Sequence, residues 1–309
     1  MSKKTITKFA LFVISAVSMS GCWSNEIRPT LDSRFGPPAV VGTIKSKDIS
    51  ESSGLAASHC QTDVLWTHND SGDDAFIFAI NSKGEVLGTW EVEGAENSDW
   101  EDIAAYKDQS GKCFVYLGEI GDNKLKRPEH MVYRIVEPVV KPENASSNRR
   151  QPLITTAADS IRFRYPDFNQ DAETLLVHPQ NGSIYVVTKR VSGPAGVYRV
   201  PAEFGFPQAQ KAQSVGELSV PAIPNGFLTG GDISPDGRYL IVCDYTRAYE
   251  YKLPENAAGF DDIWKQSATA IDLGSRKAGE SICYSVDGTS LFATSERNAS
   301  PVIEVKLKQ

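Results

Sequence analysis

Apolar and polar positions recur along this chain in one repeated unit. Each unit opens on an oxygen-bearing side chain, and an apolar run follows. The openings are Ser53-Gly54-Leu55-Ala56-Ala57, Glu101-Asp102-Ile103-Ala104-Ala105, Glu173-Thr174-Leu175-Leu176-Val177, Thr229-Gly230-Gly231-Asp232-Ile233 and Glu280-Ser281-Ile282-Cys283-Tyr284. A turn and a second apolar strand come next: Val64–Thr67, Phe114–Leu117, Ile184–Val187, Tyr239–Val242 and Ser290–Ala293. A third strand closes each unit: Phe76–Ile80, Met131–Ile135, Gly196–Val200, Ala248–Lys252 and Val302–Lys306. The openings are spaced by 48 (53 to 101), 72 (101 to 173), 56 (173 to 229) and 51 (229 to 280) residues. Repeats of this length, each one small sheet, are the mark of a β-propeller. The count predicts an all-β, five-bladed ring.

A further β-branched run precedes each unit: Ala39–Ile44, Glu85–Val92, Ser160–Tyr165, Ala212–Leu218 and Ala268–Leu273. As outermost strands, these would each lead into the next blade. The first would then complete blade five beside Val302–Leu307 and close the ring with strands from both ends of the chain. Asn181-Gly182, Asp236-Gly237 and Asp287-Gly288 fall between first and second strands, where tight hairpins need positive φ. Residues 138–152 form a polar excursion in blade two, and 255–265 have room for a short helix or turn.

The 309 residues carry a net charge of -7, which argues against a nucleic-acid partner, since that needs a basic face. Lys3, Lys4 and Lys8, the apolar run Phe9–Val17, and Ser20-Gly21-Cys22 read as a targeting segment. It resembles a bacterial lipoprotein signal with Met19 in place of the usual leucine. That resemblance implies a lipidated Cys22, a tether over 23–38 and a propeller over 39–309. It also implies a place in the cell envelope, anchored to the membrane and facing the periplasm or the cell surface. Plain secretion with a free or paired Cys22 is the alternative. Four cysteines remain, an even number in an exported chain. Blade register brings Cys60 near Cys113 at one end of neighbouring blades and Cys243 near Cys283 at the other, so both pairs are expected as disulfides.

First strands of a propeller line its axis. Ser53, Glu101, Glu173, Thr229 and Glu280 should therefore meet at one end of the channel. Carboxylates that converge repel one another, by about 1 kcal/mol per pair at 4 Å in water and by more in a protein. Protonation, basic neighbours or a bound cation can relieve this. An all-oxygen set without His or Cys suits Ca²⁺ best and Mg²⁺ less well, and it does not suit zinc. A solvated channel without metal is the alternative.

The order Ser, Glu, Glu, Thr, Glu resembles the Ser, Glu, Glu, Ser, Glu set around the central calcium of the calcium-activated nucleotidases, the soluble apyrases, which are five-bladed propellers. Lys189-Arg190 falls where that family carries a basic pair. Glu51-Ser52-Ser53-Gly54-Leu55 and Thr67-His68-Asn69-Asp70-Ser71-Gly72 are also similar to SdiA-regulated and phytase-like esterase propellers.

Second strands return to the face of the ring, and their ends are polar: His68-Asn69-Asp70, Glu119 to Asn123, Lys189-Arg190, Asp244 to Arg247 and Glu296-Arg297. The first expectation is a monomeric, calcium-centred envelope protein that binds a small anionic or glycan-like ligand there. The second is a calcium-dependent phosphohydrolase. In that case Lys189, Arg190 and Arg247 would stabilise charge on phosphate, and His68, Asp70 or Asp122 would orient water. The third is a structural interaction module. No Gly-x-Ser-x-Gly elbow accompanies Ser281.

Overall fold

The computed structural model describes residues 33–308. The leader, Cys22 and most of the expected tether lie outside the described residues. Five sheets, each antiparallel through its four main strands, form a five-bladed β-propeller. From the axis outward, blade one is Gly54–Ala57, Leu65–His68, Phe76–Ile80 and Val86–Glu91. Blade two is Trp100–Lys107, Cys113–Glu119, His130–Val136 and Asp159–Arg164. Blade three is Ala172–Val177, Ile184–Thr188, Ala195–Val200 and Gln213–Leu218. Blade four is Gly230–Ile233, Tyr239–Cys243, Arg247–Lys252 and Thr269–Asp272. Blade five is Ser281–Tyr284, Ser290–Thr294, Pro301–Leu307 and, outermost, the N-terminal strand Phe35–Thr43.

A blade is covered on both faces, so its inner strands are apolar throughout instead of alternating. Phe76–Ile80 and Ile184–Thr188 are buried at every position. The apolar side chains gather into five clusters, one for each pair of neighbouring blades. Trp66 and Ile77 meet Trp100 and Leu117 between blades one and two, and Tyr116 and Phe163 meet Leu175 and Val186 between two and three. Tyr185 meets Tyr249 and Leu240, Ile241 meets Ile282 and Leu291, and Phe78 meets Cys283 and Val302 at the remaining joints. The glycines of the three expected hairpin turns adopt φ of 67°, 69° and 69° at Gly182, Gly237 and Gly288.

The ring closes as expected, with Phe35 opposite Leu307 and Thr43 opposite Pro301. The strand starts at Phe35, inside the stretch expected as tether. Just before it, Arg34 places two hydrogen bonds on Glu250 of blade four, at 2.9 and 2.8 Å. The hydroxyl of Tyr284 in blade five donates to the same carboxylate at 2.7 Å, and the guanidinium lies 3.7 Å from the Tyr239 ring centroid. Hydrogen bonds to a charged partner contribute about 1.5–3 kcal/mol, so Arg34→Ala is expected to lower stability by about 2 kcal/mol in urea unfolding. A loss below a few tenths would mean that the strand alone seals the ring.

The blade-two excursion contains a 3-10 turn, Pro142–Ser146, and then Leu153–Ile154, which pair in parallel with the outer strand of blade one. Ser147 Oγ accepts the Thr89 amide at 2.8 Å. The insertion thus covers an exposed sheet edge. The 255–265 stretch holds a second 3-10 turn, Phe260–Lys265.

Cys60 and Cys113 form the expected disulfide between blades one and two. The other expected pair is not bonded: Cys243 and Cys283 are buried free thiols. Side chains along a strand alternate between faces. Cys283 therefore points toward blade one while its neighbour Ile282 packs against blade four, beside Cys243. The two thiols lie on opposite faces of blade five.

Candidate functional site at the axis

The five opening residues divide into two roles. The hydroxyls stitch blades together: Ser53 Oγ donates to the Glu101 carbonyl at 3.0 Å, and Thr229 Oγ1 donates to the Gly279 carbonyl at 3.0 Å. The three glutamates meet in the channel and are buried. Strand pairing is interrupted at Glu101, between Trp100 and Asp102, and again at Glu173, between Ala172 and Thr174. A bulge of this kind re-aims a side chain that regular pairing would direct into the sheet packing.

Two more acids stand two residues ahead of these bulges: Asp99 before Glu101 and Asp171 before Glu173. With Asp70, from the end of the second strand of blade one, they complete the cluster. Oxygens of Glu101, Asp171 and Glu173 lie within 4.8 Å of one another, and so do oxygens of Asp70, Asp99 and Glu101. Ca²⁺ holds oxygen at about 2.3–2.6 Å, so ligands on opposite sides of it stand about 5 Å apart. Each triplet has the span of such a site, and Glu101 belongs to both. A third grouping, Cys60, Cys113 and Glu137, is taken up by the disulfide and by Glu137 accepting from Trp66 Nε1 at 2.8 Å.

Lys189 brings the cation. Its Nζ lies 2.7 Å from Glu173 Oε1 and 4.9 and 5.4 Å from the ring centroids of Phe227 and Tyr245. The negative charge of Glu173 holds the ammonium charged against the opposing effect of burial. Burial pushes Glu173 upward, and Lys189 pulls it part of the way back. Burial and the charge of Glu173 push Glu280 up to about 9, and its Oε2 has no hydrogen-bond partner among the described residues. Burial raises Glu101 well above the usual carboxylate range, and Glu173 and Asp70 add to the shift. Asp99 rises to about 6, chiefly by desolvation. This carboxylate cluster is short of positive charge.

Of the residues expected at the rim, Asp70 and Lys189 join the cluster. His68 does not reach it. Its ring is enclosed, bonded through Nδ1 to the Asn69 carbonyl at 2.8 Å and set edge-on to Trp100 at 5.7 Å, and burial lowers its pKa to about 4. The Asp122 carboxylate shapes its own loop by accepting the amides of Lys126 and Arg127 at 2.9 and 2.7 Å. Arg190 reaches Gln170 Oε1 at 3.2 Å, and Arg247 opens the third strand of blade four near Tyr249. Sequence reasoning missed Asp99 and Asp171 as site residues, although Asp-x-Glu occurs at both openings. It also missed the Phe227–Tyr245 pair, whose rings meet edge to face at 5.0 Å.

No protein-family model matches the chain, and no curated protein matches it.

Proposed function

We propose that the protein is a ligand-binding propeller centred on a divalent cation, calcium by its donor chemistry, and held at the cell envelope through Cys22. The observation that carries this reading is the pair of carboxylate triplets sharing Glu101, with Lys189 the cation bonded among them. Glu101, Asp171, Glu173, Asp70 and Asp99 would hold the ion, and the unpartnered Glu280 oxygen stands ready beside them. A bound cation would neutralise the cluster and present open positions to an anionic group of the ligand. Binding is favoured over phosphoester hydrolysis because His68 is walled in and Asp122 is engaged by backbone amides.

The test is thermal melting of the protein in chelator and in millimolar Ca²⁺, beside Glu101→Gln. A ligand specific to the folded state, at one hundred times its Kd, adds about 2.7 kcal/mol. Wild type should melt higher in calcium. At alkaline pH, where the Glu101 carboxyl is charged, Glu101→Gln should melt higher than wild type in chelator, because one repelling charge is gone, and it should not respond to calcium. An unresponsive wild type would sink the reading.

A further inference from the structure

A cleft of about 430 Å³ opens beside the carboxylate cluster, lined by Ser71, Ser98, Asp99, Asp122, Asn123, Lys124, Lys126 and Arg127. It carries both signs of charge. Asp99 forms one wall and belongs to the cation-sized Asp70–Asp99–Glu101 triplet. The opposite wall is the loop between the second and third strands of blade two, which bears Lys124, Lys126 and Arg127 in close succession.

This loop is built, not loose. The Leu125 amide donates to the Asp122 carbonyl at 2.7 Å, and the Asp122 carboxylate accepts the next two amides. Asp122 is itself held by its amide donating to Asp171 Oδ1 at 2.8 Å, which ties the loop to the second triplet. Leu125 takes a φ of 52°, the left-handed conformation that non-glycine residues rarely adopt. Asn169 Nδ2 holds the Leu125 carbonyl at 3.1 Å. The guanidinium of Arg127 is engaged by Glu119 and by the Gly121 carbonyl at 2.7 Å. Among the described residues, the ammoniums of Lys124 and Lys126 are left to meet a ligand.

We propose that this cleft seats a phosphate monoester, whose oxygens bridge the cation on Asp99 and Glu101 to the ammoniums of Lys124 and Lys126. The inference rests on the cation reading above. A phosphate monoester is nearly a dianion at neutral pH, which matches two ammoniums. It also has three oxygens, enough to serve the ion and the lysines together. The basic residues expected to do this from sequence, Lys189, Arg190 and Arg247, belong to blades three and four. The cleft assigns the task to blade two.

The test uses full-length protein in detergent and phenyl phosphate as the probe, titrated calorimetrically with calcium and with chelator. Lys124→Glu/Lys126→Glu changes two exposed side chains and should keep the calcium melting shift. Its affinity for phenyl phosphate in calcium should fall about tenfold or more, the equivalent of two modest ion pairs. Lys83→Glu/Lys252→Glu, on the opposite face of the ring, carries the same charge change and should bind as wild type does. Equal binding by both double variants, with the calcium shift intact, overturns the anion cleft and leaves the cation centre standing. A missing calcium shift in wild type, with phenyl phosphate binding that ignores calcium, overturns the cation centre and the bridge with it. Capture by phosphatidic acid vesicles without binding of phenyl phosphate overturns a small soluble ligand.

Discussion

Lys189→Met should lower stability by roughly 3–5 kcal/mol near pH 8 in chelator, the usual cost of removing one partner from a buried ion pair. The lysine side chain is only 14% exposed, and its ammonium is 2.7 Å from Glu173, which is 5% exposed. Methionine fills much of the same space against Phe227 and Tyr245, so the missing charge is what the experiment reads. The loss must depend on pH in a definite direction. Glu173 and Glu280 have folded pKa values above the ordinary carboxylate value. Acids shifted upward take up protons on folding, so their favourable effect is complete below the unfolded pKa. It disappears as pH rises through the folded pKa, which for Glu280 is about 9. Without the ammonium, Glu173 should shift further upward. Urea unfolding should therefore show a small loss at pH 5.5 and a large one at pH 8.5, and calcium should recover part of it. Equal losses at both pH values would mean that Lys189 matters for packing and not for charge.

Reduction of Cys60–Cys113 is expected to lower stability by about 4 kcal/mol. The disulfide spans a sequence separation of 53, and loop-closure entropy gives about this value for a loop of that length. Cys60 lies in the turn between first and second strands, and Cys113 begins a second strand, so the staple sits at the end of the blades away from the carboxylates. Cys60→Ser/Cys113→Ser should accordingly melt lower than wild type and keep the same calcium shift. If the shift vanished as well, the far ends of blades one and two would have to control the spacing of Asp70, Asp99 and Glu101. The free thiols Cys243 and Cys283 should be unaffected by reductant. Burial pushes Cys243 up to about 11 and also raises Cys283 well above the usual thiol range.

The blades were legible because a doubly covered sheet demands long apolar strands, and three of the hairpin turns place glycine at positive φ, at Gly182, Gly237 and Gly288. The closing strand was legible for the same reason. The site was legible only in outline. Spacing brought the five openings to one end of the axis, but not the bulges that turn Glu101 and Glu173 inward while Ser53 and Thr229 bond to the next blade. That division depends on a one-residue shift in strand pairing, which hydrophobic pattern does not report. The Cys243–Cys283 error has the same origin. The two positions are close along the blade axis, but alternation puts them on opposite faces. Asp99 and Asp171 were within reach, since Asp-x-Glu repeats at two openings. The Lys124–Arg127 loop was not, because its position depends on Asp122 gathering backbone amides, which no residue pattern announces.

The closing seam also has a direction. Phe35 pairs with Leu307, at the end of a third strand, and third strands run away from the carboxylate face. The chain therefore enters the ring from the face opposite the site. Cys22 precedes Phe35 by 13 residues (22 to 35), a stretch that can reach at most about 45 Å. If Cys22 carries a lipid, the bilayer lies under the far side of the propeller, and the mouth looks outward into the surrounding compartment. Such a receptor would sample solutes arriving from that compartment, with its back to its own membrane.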